Sequence, residues 1–362
     1  MQRNIRYGVV GTGMMGVEHI LNINALAGAE VTAISDPEAT SRAAGAEAAS
    51  SGTTAVFENH EELISAGVCD AVVVASPNNT HIDILPDLID AGLHVLAEKP
   101  LCTTVEDCHA VVDAARDADA VLWMGMEYRY KPPIARLVDE VRAGAVGRVH
   151  MVAIREHRFP FLVKVGNWNR FNRNTGGTLV EKCCHFFDLM NLIIDAEPVR
   201  VYASGGQSVN HLDEIYDGET SDILDNAYVI VDYDNGARAM LDLCMFAEGS
   251  RNEQEIAVTG DVGKLEAFVP EAIVRIGRRA DGSVEEHEIS DARVAYDGLH
   301  EGSSYLEHLD FRDAILNDTD PKVTLNDGMR AVAIGVAAHR SIDEERPVML
   351  DEVMGSRAVG QT

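Results

Sequence analysis

Positive charge is scarce in this 362-residue chain: 30 Lys and Arg stand against 59 Asp and Glu, a formal charge of −29. Only six of the cations are lysines. Such a balance argues against nucleic acid or an anionic membrane as partner. Cysteine is also sparse. The six (Cys69, Cys102, Cys108, Cys183, Cys184 and Cys244) form no CxxC pair and no zinc spacing, so no metal site is expected, and reduced thiols in a cytoplasm are. There is no signal-peptide pattern, no apolar run long enough to span a bilayer, and no internal repeat or low-complexity segment. What remains, with 46% hydrophobic residues, is a chain that can bury a large core and whose length suggests two domains.

The N-terminal 125 residues alternate between strand-like and helix-like stretches, which predicts a doubly wound parallel sheet. An apolar strand over residues 5–10 runs into GTGMMG at 11–16 and then a helical stretch. A second strand over 31–35 ends on Asp36, about twenty residues past the last glycine, as a dinucleotide fingerprint requires. Gly11 permits the tight turn, Gly13 lets the pyrophosphate approach backbone N–H groups, and Gly16 allows close packing of helix on strand. Met14 and Met15 open the helix beside it. The Asp36 carboxylate suits a ribose 2′-hydroxyl and repels a 2′-phosphate, and Pro37 follows instead of an arginine, so NAD is favoured over NADP.

Two later strands end at the same sheet edge. The strand over 71–75 gives way to SPNNTH, placing Ser76, Pro77, Asn79 and His81 there; with the three glycines, Met14, Met15, Asp36, Glu98 and Lys99 they are the candidate cofactor-binding residues. The strand over 94–97 stops at Glu98-Lys99-Pro100, where the proline cannot extend a ladder and biases Lys99 away from helical conformation. A lysine delivered to the carboxyl edge of a parallel sheet is a candidate catalytic group, although a surface lysine before a turn would read the same way in isolation.

GTGMMG, SPNNTH and AEKP together resemble the glucose–fructose oxidoreductase/inositol dehydrogenase family, Gfo/Idh/MocA, and the resemblance extends over the whole chain. It implies a Rossmann domain over 1–126 and a substrate-binding and oligomerisation α/β domain over 127–362. The second domain would be built on a large open, mostly antiparallel sheet, one face of which packs on another subunit in a homodimer or homotetramer. The residues agree. Strand-like segments dominate after Arg148, Asp234-Asn235-Gly236 marks a hairpin, and a helix is expected over 176–195. On that helix Glu181, His185 and Asp188 are spaced four and three apart and would share a face. The resemblance assigns His185 as the acid/base that takes the hydroxyl proton while hydride leaves the same carbon, with Lys99 orienting and polarising the oxygen. Glu181 stands where the family usually has an aspartate, one methylene longer, and the resemblance gives it the third catalytic place, orienting His185 or binding substrate. The tail after Val353 is expected to lack order.

Arg155, Arg158, Lys164, Arg170, Arg173 and Lys182 crowd one stretch of an acidic chain. Lys164, Arg173 and Lys182 are candidate ligands for a substrate anion, and Trp168 could stack on a sugar ring. A basic loop answering acidic neighbours is the competing reading. The expected function is NAD-dependent oxidation of a secondary hydroxyl on a sugar, cyclitol or polyol, with a carboxylated, phosphorylated or sulfonated sugar as one form of substrate. The alternatives are a redox-neutral glycoside hydrolase working through transient C3 oxidation and elimination, and a non-enzymatic dinucleotide-binding protein.

Overall fold

The computed structural model describes residues 4–355, so most of the tail expected to be disordered, 356–362, lies outside the described residues. The chain forms two compact units. The first comprises Met1–Tyr130, Lys164–Trp168 and Ala292–Met329, and the second comprises Lys131–Val163, Asn169–Asp291 and Arg330–Thr362.

The first unit is built on a six-stranded parallel sheet in the order β3-β2-β1-β4-β5-β6. Its strands are β1 (Ile5–Val10), β2 (Ala29–Ser35), β3 (Ala55–Phe57), β4 (Ala71–Val74), β5 (His94–Glu98) and β6 (Leu122–Gly125). Helices α1 (Met14–Ala25), α2 (Ala39–Ala49), α3 (His60–Ala66), α4 (His81–Asp90) and α5 (Val105–Ala114) make the crossovers. Strands β4 and β6 are buried at every position, as expected of parallel strands covered on both faces. The strand order reverses between β1 and β4, which puts the loops after β1, β4 and β5 beside the switch point where open α/β sheets bind ligands.

Beyond the N-terminal stretch, the first unit includes the later segment Ala292–Met329. Its helix Ser303–Asn317 carries Phe311, whose ring stands edge-on to Tyr7 of β1 and Trp123 of β6, with centroids 6.2 and 6.1 Å apart. Burying that aromatic cluster draws the segment onto the sheet.

In the second unit a nine-stranded sheet runs β16-β15-β14-β13-β7-β12-β11-β8-β17. The strands are β7 (Val149–His157), β8 (Pro198–Gly206), β11 (Asn226–Tyr233), β12 (Arg238–Cys244), β13 (Gln254–Gly260), β14 (Gly263–Val269), β15 (Ile273–Arg278), β16 (Val284–Glu288) and β17 (Val348–Met349). A two-residue hairpin, β9 (Ile215–Tyr216) with β10 (Glu219–Thr220), stands outside it. Only β7 and β12 pair in parallel, so the sheet is mostly antiparallel as expected. The hairpin at Asp234-Asn235-Gly236 joins β11 to β12, with Gly236 at φ +85°. Helices α6 (Pro132–Arg142) and α9 (Cys184–Ile194) pack on one face. The opposite face exposes Met151, Tyr202, Tyr228, Ile230 and Met240.

The helix expected over 176–195 is instead two pieces, α8 (Thr178–Glu181) and α9, following the short α7 (Asn172–Thr175). Cys183 at ψ −7° interrupts the helical ladder, and the Phe186 and Phe187 N–H groups restart it on the Cys183 carbonyl. Helix α10 is Ser303–Asn317, α11 (Leu325–Glu344) carries the chain from the first unit's last residues into the second, and α12 (Asp351–Met354) closes the described chain.

Candidate active site

The glycine turn between β1 and α1 has the geometry its sequence demands. Gly11 sits at φ +85°, and a Cβ there would lie 2.6 Å from the Ser76 nitrogen, so the first turn presses directly on the loop after β4. A Cβ on Gly16 would collide with the Gly11 carbonyl, which is why helix and turn can approach only through glycine. Gly13 is the opposite case: nothing lies within 4 Å of where its Cβ would be. That open backbone leads into the first turn of α1, which has no side-chain cap and no acidic residue and includes Met14 and Met15. Unanswered N–H groups at an uncapped, acid-free helix start fit a pyrophosphate.

Asp36 ends β2 with its carboxylate fixed by the backbone: one oxygen accepts the Thr12 N–H and the other the Glu38 N–H, each at 2.8 Å. An arginine does stand nearby. Arg42 of α2 donates to the Asp36 and Pro37 carbonyls at 2.7 and 2.8 Å and pairs with Glu58 at 3.2 Å. Its guanidinium is therefore engaged within the loop, and the sequence reading, which looked only at position 37, had missed it.

Past β4, Ser76 and Thr80 share a hydrogen bond of 2.8 Å, Asn79 is exposed, and Pro77 begins the single 3-10 turn Asn78–Thr80. His81 does not face outward with them. It is fully buried, with Nδ1 2.9 Å from the Pro100 carbonyl and Nε2 3.3 Å from that of Ser76. Burial holds its imidazole below the usual range despite those carbonyls. Expected among the cofactor ligands, His81 instead ties the loop after β4 to the loop after β5.

The second loop carries Glu98 and Lys99, with a cis peptide joining Lys99 to Pro100. Glu98 is buried, and one carboxylate oxygen accepts the backbone N–H of Lys99 at 3.1 Å. The other lies 2.8 Å from His19 Nε2. Burial opposes ionisation of Glu98, but the His19 hydrogen bond, with Lys99 and His300 nearby, holds its carboxyl below the usual range. Lys99 itself is half-buried at the carboxyl end of β5.

In the second unit Gly176 and Gly177 both adopt left-handed conformations, at φ +79° and +86°. A side chain on Gly177 would strike the ring of His339 from α11. That ring caps the start of α8: His339 Nε2 accepts the Leu179 N–H at 3.1 Å. Burial outweighs Asp343 and Asp222 and pulls the His339 pKa down to about 4, so the imidazole is neutral and free to accept. Glu181, His185 and Asp188 follow, all buried.

The basic stretch is largely matched by acids. Lys182 is buried with its Nζ 2.9 Å from Glu156 Oε1, and Arg158 approaches the same oxygen at 3.5 Å. Gln254 donates to the other Glu156 oxygen at 2.7 Å. Arg170 pairs with Glu214, exposed Arg173 with Glu219, and Arg155 with Asp242 and Glu255. Lys164 and Trp168 are half-buried and belong to the first unit, whereas Arg173 and Lys182 belong to the second. Sequence reasoning missed the burial of Glu156 against Lys182 although β7 signalled it: Val152, Ile154 and Glu156 alternate on the inward face, and an acid there requires a partner.

An uncapped glycine turn, an ordered acid closing β2 and a lysine at the edge of β5 define a nicotinamide-dependent oxidoreductase. Residues 5–126 match the description "Oxidoreductase family, NAD-binding Rossmann fold" and residues 138–350 its "C-terminal alpha/beta domain". The chain belongs to this Gfo/Idh/MocA family and uses NAD. It is 30% identical over 356 residues to the myo-inositol 2-dehydrogenase of Thermotoga maritima, covering 97% of this chain and 100% of the relative. It is 26% identical to an inositol 2-dehydrogenase of Rhizobium meliloti, covering 96% and 99%. Among solved structures, a probable dehydrogenase from Thermotoga maritima aligns with TM-score 0.79 at 28% identity, over 96% of this chain and 100% of that one. A levoglucosan dehydrogenase in complex with NADH and levoglucosan shares the fold, at TM-score 0.85 and 20% identity over 96% and 100%.

Proposed function

We propose that this protein oxidises a secondary ring hydroxyl of a neutral cyclitol or sugar, with Lys99 and His185 handling the hydroxyl. The observation that carries the reading is Lys99 held at the carboxyl edge of β5, with the ionised Glu98 carboxylate bound to its own N–H. Bound NAD supplies the hydride acceptor. The negative neighbour favours the ammonium form of Lys99, which donates to the substrate oxygen and stabilises charge that develops there as the hydrogen leaves. His185 takes the hydroxyl proton. Glu181, at the end of α8, orients it or binds a second hydroxyl. The full-length similarity to myo-inositol 2-dehydrogenase supports a polyhydroxylated ring as substrate.

A neutral ring is favoured over the anionic sugar because Lys182, one of the two buried cations of the basic stretch, already has a carboxylate partner in Glu156. A substrate anion would have to displace that partner and leave Glu156 buried without its cation. Kinetics with myo-inositol, glucose and glucuronate, at matched concentrations with NAD, test the reading. Turnover of a neutral ring at least equal to that of the carboxylated sugar is expected. Preference for glucuronate, lost on replacing Lys164 or Arg173 but retained by the other variants, would restore the anionic reading.

The same proposal includes self-association. The exposed apolar row across β7, β8, β11 and β12 suits a homodimer or homotetramer, which sedimentation of the purified protein would detect. Six free cysteines, five of them buried, suit a reducing cytoplasm.

A further inference from the structure

Behind Lys99 and Glu98, the first unit buries two histidines that the hydroxyl chemistry above does not use. Glu98 Oε1 lies 2.8 Å from His19 Nε2, and His19 Nδ1 lies 2.8 Å from His308 Nε2. All three side chains are almost wholly inaccessible, and they come from three separate elements, β5, α1 and α10. The two imidazoles cross at 74° with centroids 5.1 Å apart, and Tyr7 stands edge-on to His308.

The direction of each hydrogen bond follows from what each group can do. A carboxylate only accepts, so His19 Nε2 carries a proton and donates to Glu98. His308 is buried, and burial above all holds its imidazole well below the usual range despite the Glu98 charge. A neutral His308 has one N–H to place. Its Nδ1 has no acceptor among the described residues, so a proton there would be a buried, unanswered donor. The proton therefore sits on Nε2 and donates to His19 Nδ1, which fixes the His19 tautomer that serves Glu98. A buried pair of histidines, each holding the next in one tautomer, costs desolvation that a leucine pair would avoid. A use for it is expected.

We propose that Glu98, His19 and His308 form a buried relay that keeps a carboxylate charge directly behind Lys99, with His19 and His308 as positioning residues acting through Glu98. Without the His19 donor, burial would push the Glu98 carboxyl toward its neutral form, and Lys99 would lose the charge that favours its ammonium. Other titratable groups face the relay. Glu307 of α10 is held well above the usual carboxylate range by burial and by Glu127 and Glu98, so burial there works against a competing charge. Glu127 and His300 lie 3.8 Å from one another in the same unit. Glu18 of α1 is occupied by the Leu299 N–H and Asn22.

The inference rests on Lys99 working on the hydroxyl, and its test is independent of turnover. The chain has six lysines, so NMR of protein labelled at lysine Cε resolves few signals, and Lys99→Arg identifies the one of interest. His19→Leu is expected to lower the pH at which Lys99 titrates by about one unit or more. His19→Gln, which retains a donor for Glu98, should return it close to wild type. Glu98→Gln, uncharged and of the same shape, provides the same reading if His19→Leu fails to fold, and should also lower the Lys99 titration. NAD affinity by calorimetry should change little in the folded His19 variants. A Lys99 titration that stays at the wild-type pH in every folded variant lacking the donor or the charge overturns the relay. Normal turnover of Lys99→Ala would instead overturn the catalytic reading of Lys99 and leave the titration result standing.

Discussion

Lys99 and Lys182 are two lysines with opposite surroundings. Lys99 stands half-buried at a strand end, with its carboxylate neighbour held from behind, whereas Lys182 is buried against Glu156 in an ion pair of 2.9 Å. Lys99→Ala and His185→Ala should therefore each lower turnover by about a hundredfold or more while NAD binding stays near normal, which steady-state kinetics and calorimetry measure. Lys182→Ala should act on stability, because removing one partner of a buried pair strands the other charge. A loss of roughly 3–5 kcal/mol, seen as a large drop in thermal midpoint, is the expected result. A Lys182 variant that keeps its stability but loses affinity only for anionic sugars would contradict this account. Asp36 provides a third residue test: Asp36→Ser should narrow the preference for NAD over NADP, since it removes the charge that a 2′-phosphate would meet. Equal affinities in the unmodified protein would contradict the role given to Asp36.

The segment from Gly176 to Ile194 shows how far local pattern could be read. Glu181 and His185 were singled out in the sequence by a four-residue spacing that presumed one unbroken helix. The break at Cys183 was not, since nothing in Lys182-Cys183-Cys184 marks a breaker and the two pieces are held by tertiary packing. The His339 cap was equally hidden, lying some 160 positions away on a helix whose own pattern reads as core. Nearby β-strands were read to within a few residues. The edge strand β16, with only Val284 apolar in VEEHE, carried too little alternation to be found. His19 and His308 follow the same rule as His339: each is an ordinary helix position until folding stacks one against the other.

The cap makes a pH prediction at this scale. The folded pKa of His339 is about 4, against an ordinary value of 6.5 in the unfolded chain. Above pH 6.5 neither state holds the proton. As pH falls toward 4 the unfolded chain binds it first, so stability is lost across that window, by on the order of 3 kcal/mol at most. His339→Gln can still accept from the Leu179 N–H and does not titrate. Its stability should fall less than that of the wild type between pH 6.5 and 4 in urea unfolding. Identical acid profiles would remove His339 from the account.

For the molecule as a whole, the central claim is net oxidation of a ring hydroxyl with NAD as a consumed substrate. The glycine turn, Asp36 and the edge lysine were legible because dinucleotide binding leaves its mark on local backbone geometry. The ring that is oxidised was not legible, because its contacts come from side chains far apart in the chain, and most of the conspicuous cations proved to have carboxylate partners. The hydrolase alternative uses the same cofactor and the same first step, so binding studies cannot separate the two. Stoichiometry can. Incubating the protein with excess NAD, myo-inositol in one arm and a nitrophenyl glucoside in the other, and counting NADH, ketone and released nitrophenol gives the most direct answer. The account predicts one NADH per ketone formed from the cyclitol, abolished by Lys99→Ala, with no nitrophenol released. Release of nitrophenol without accumulation of NADH would contradict it.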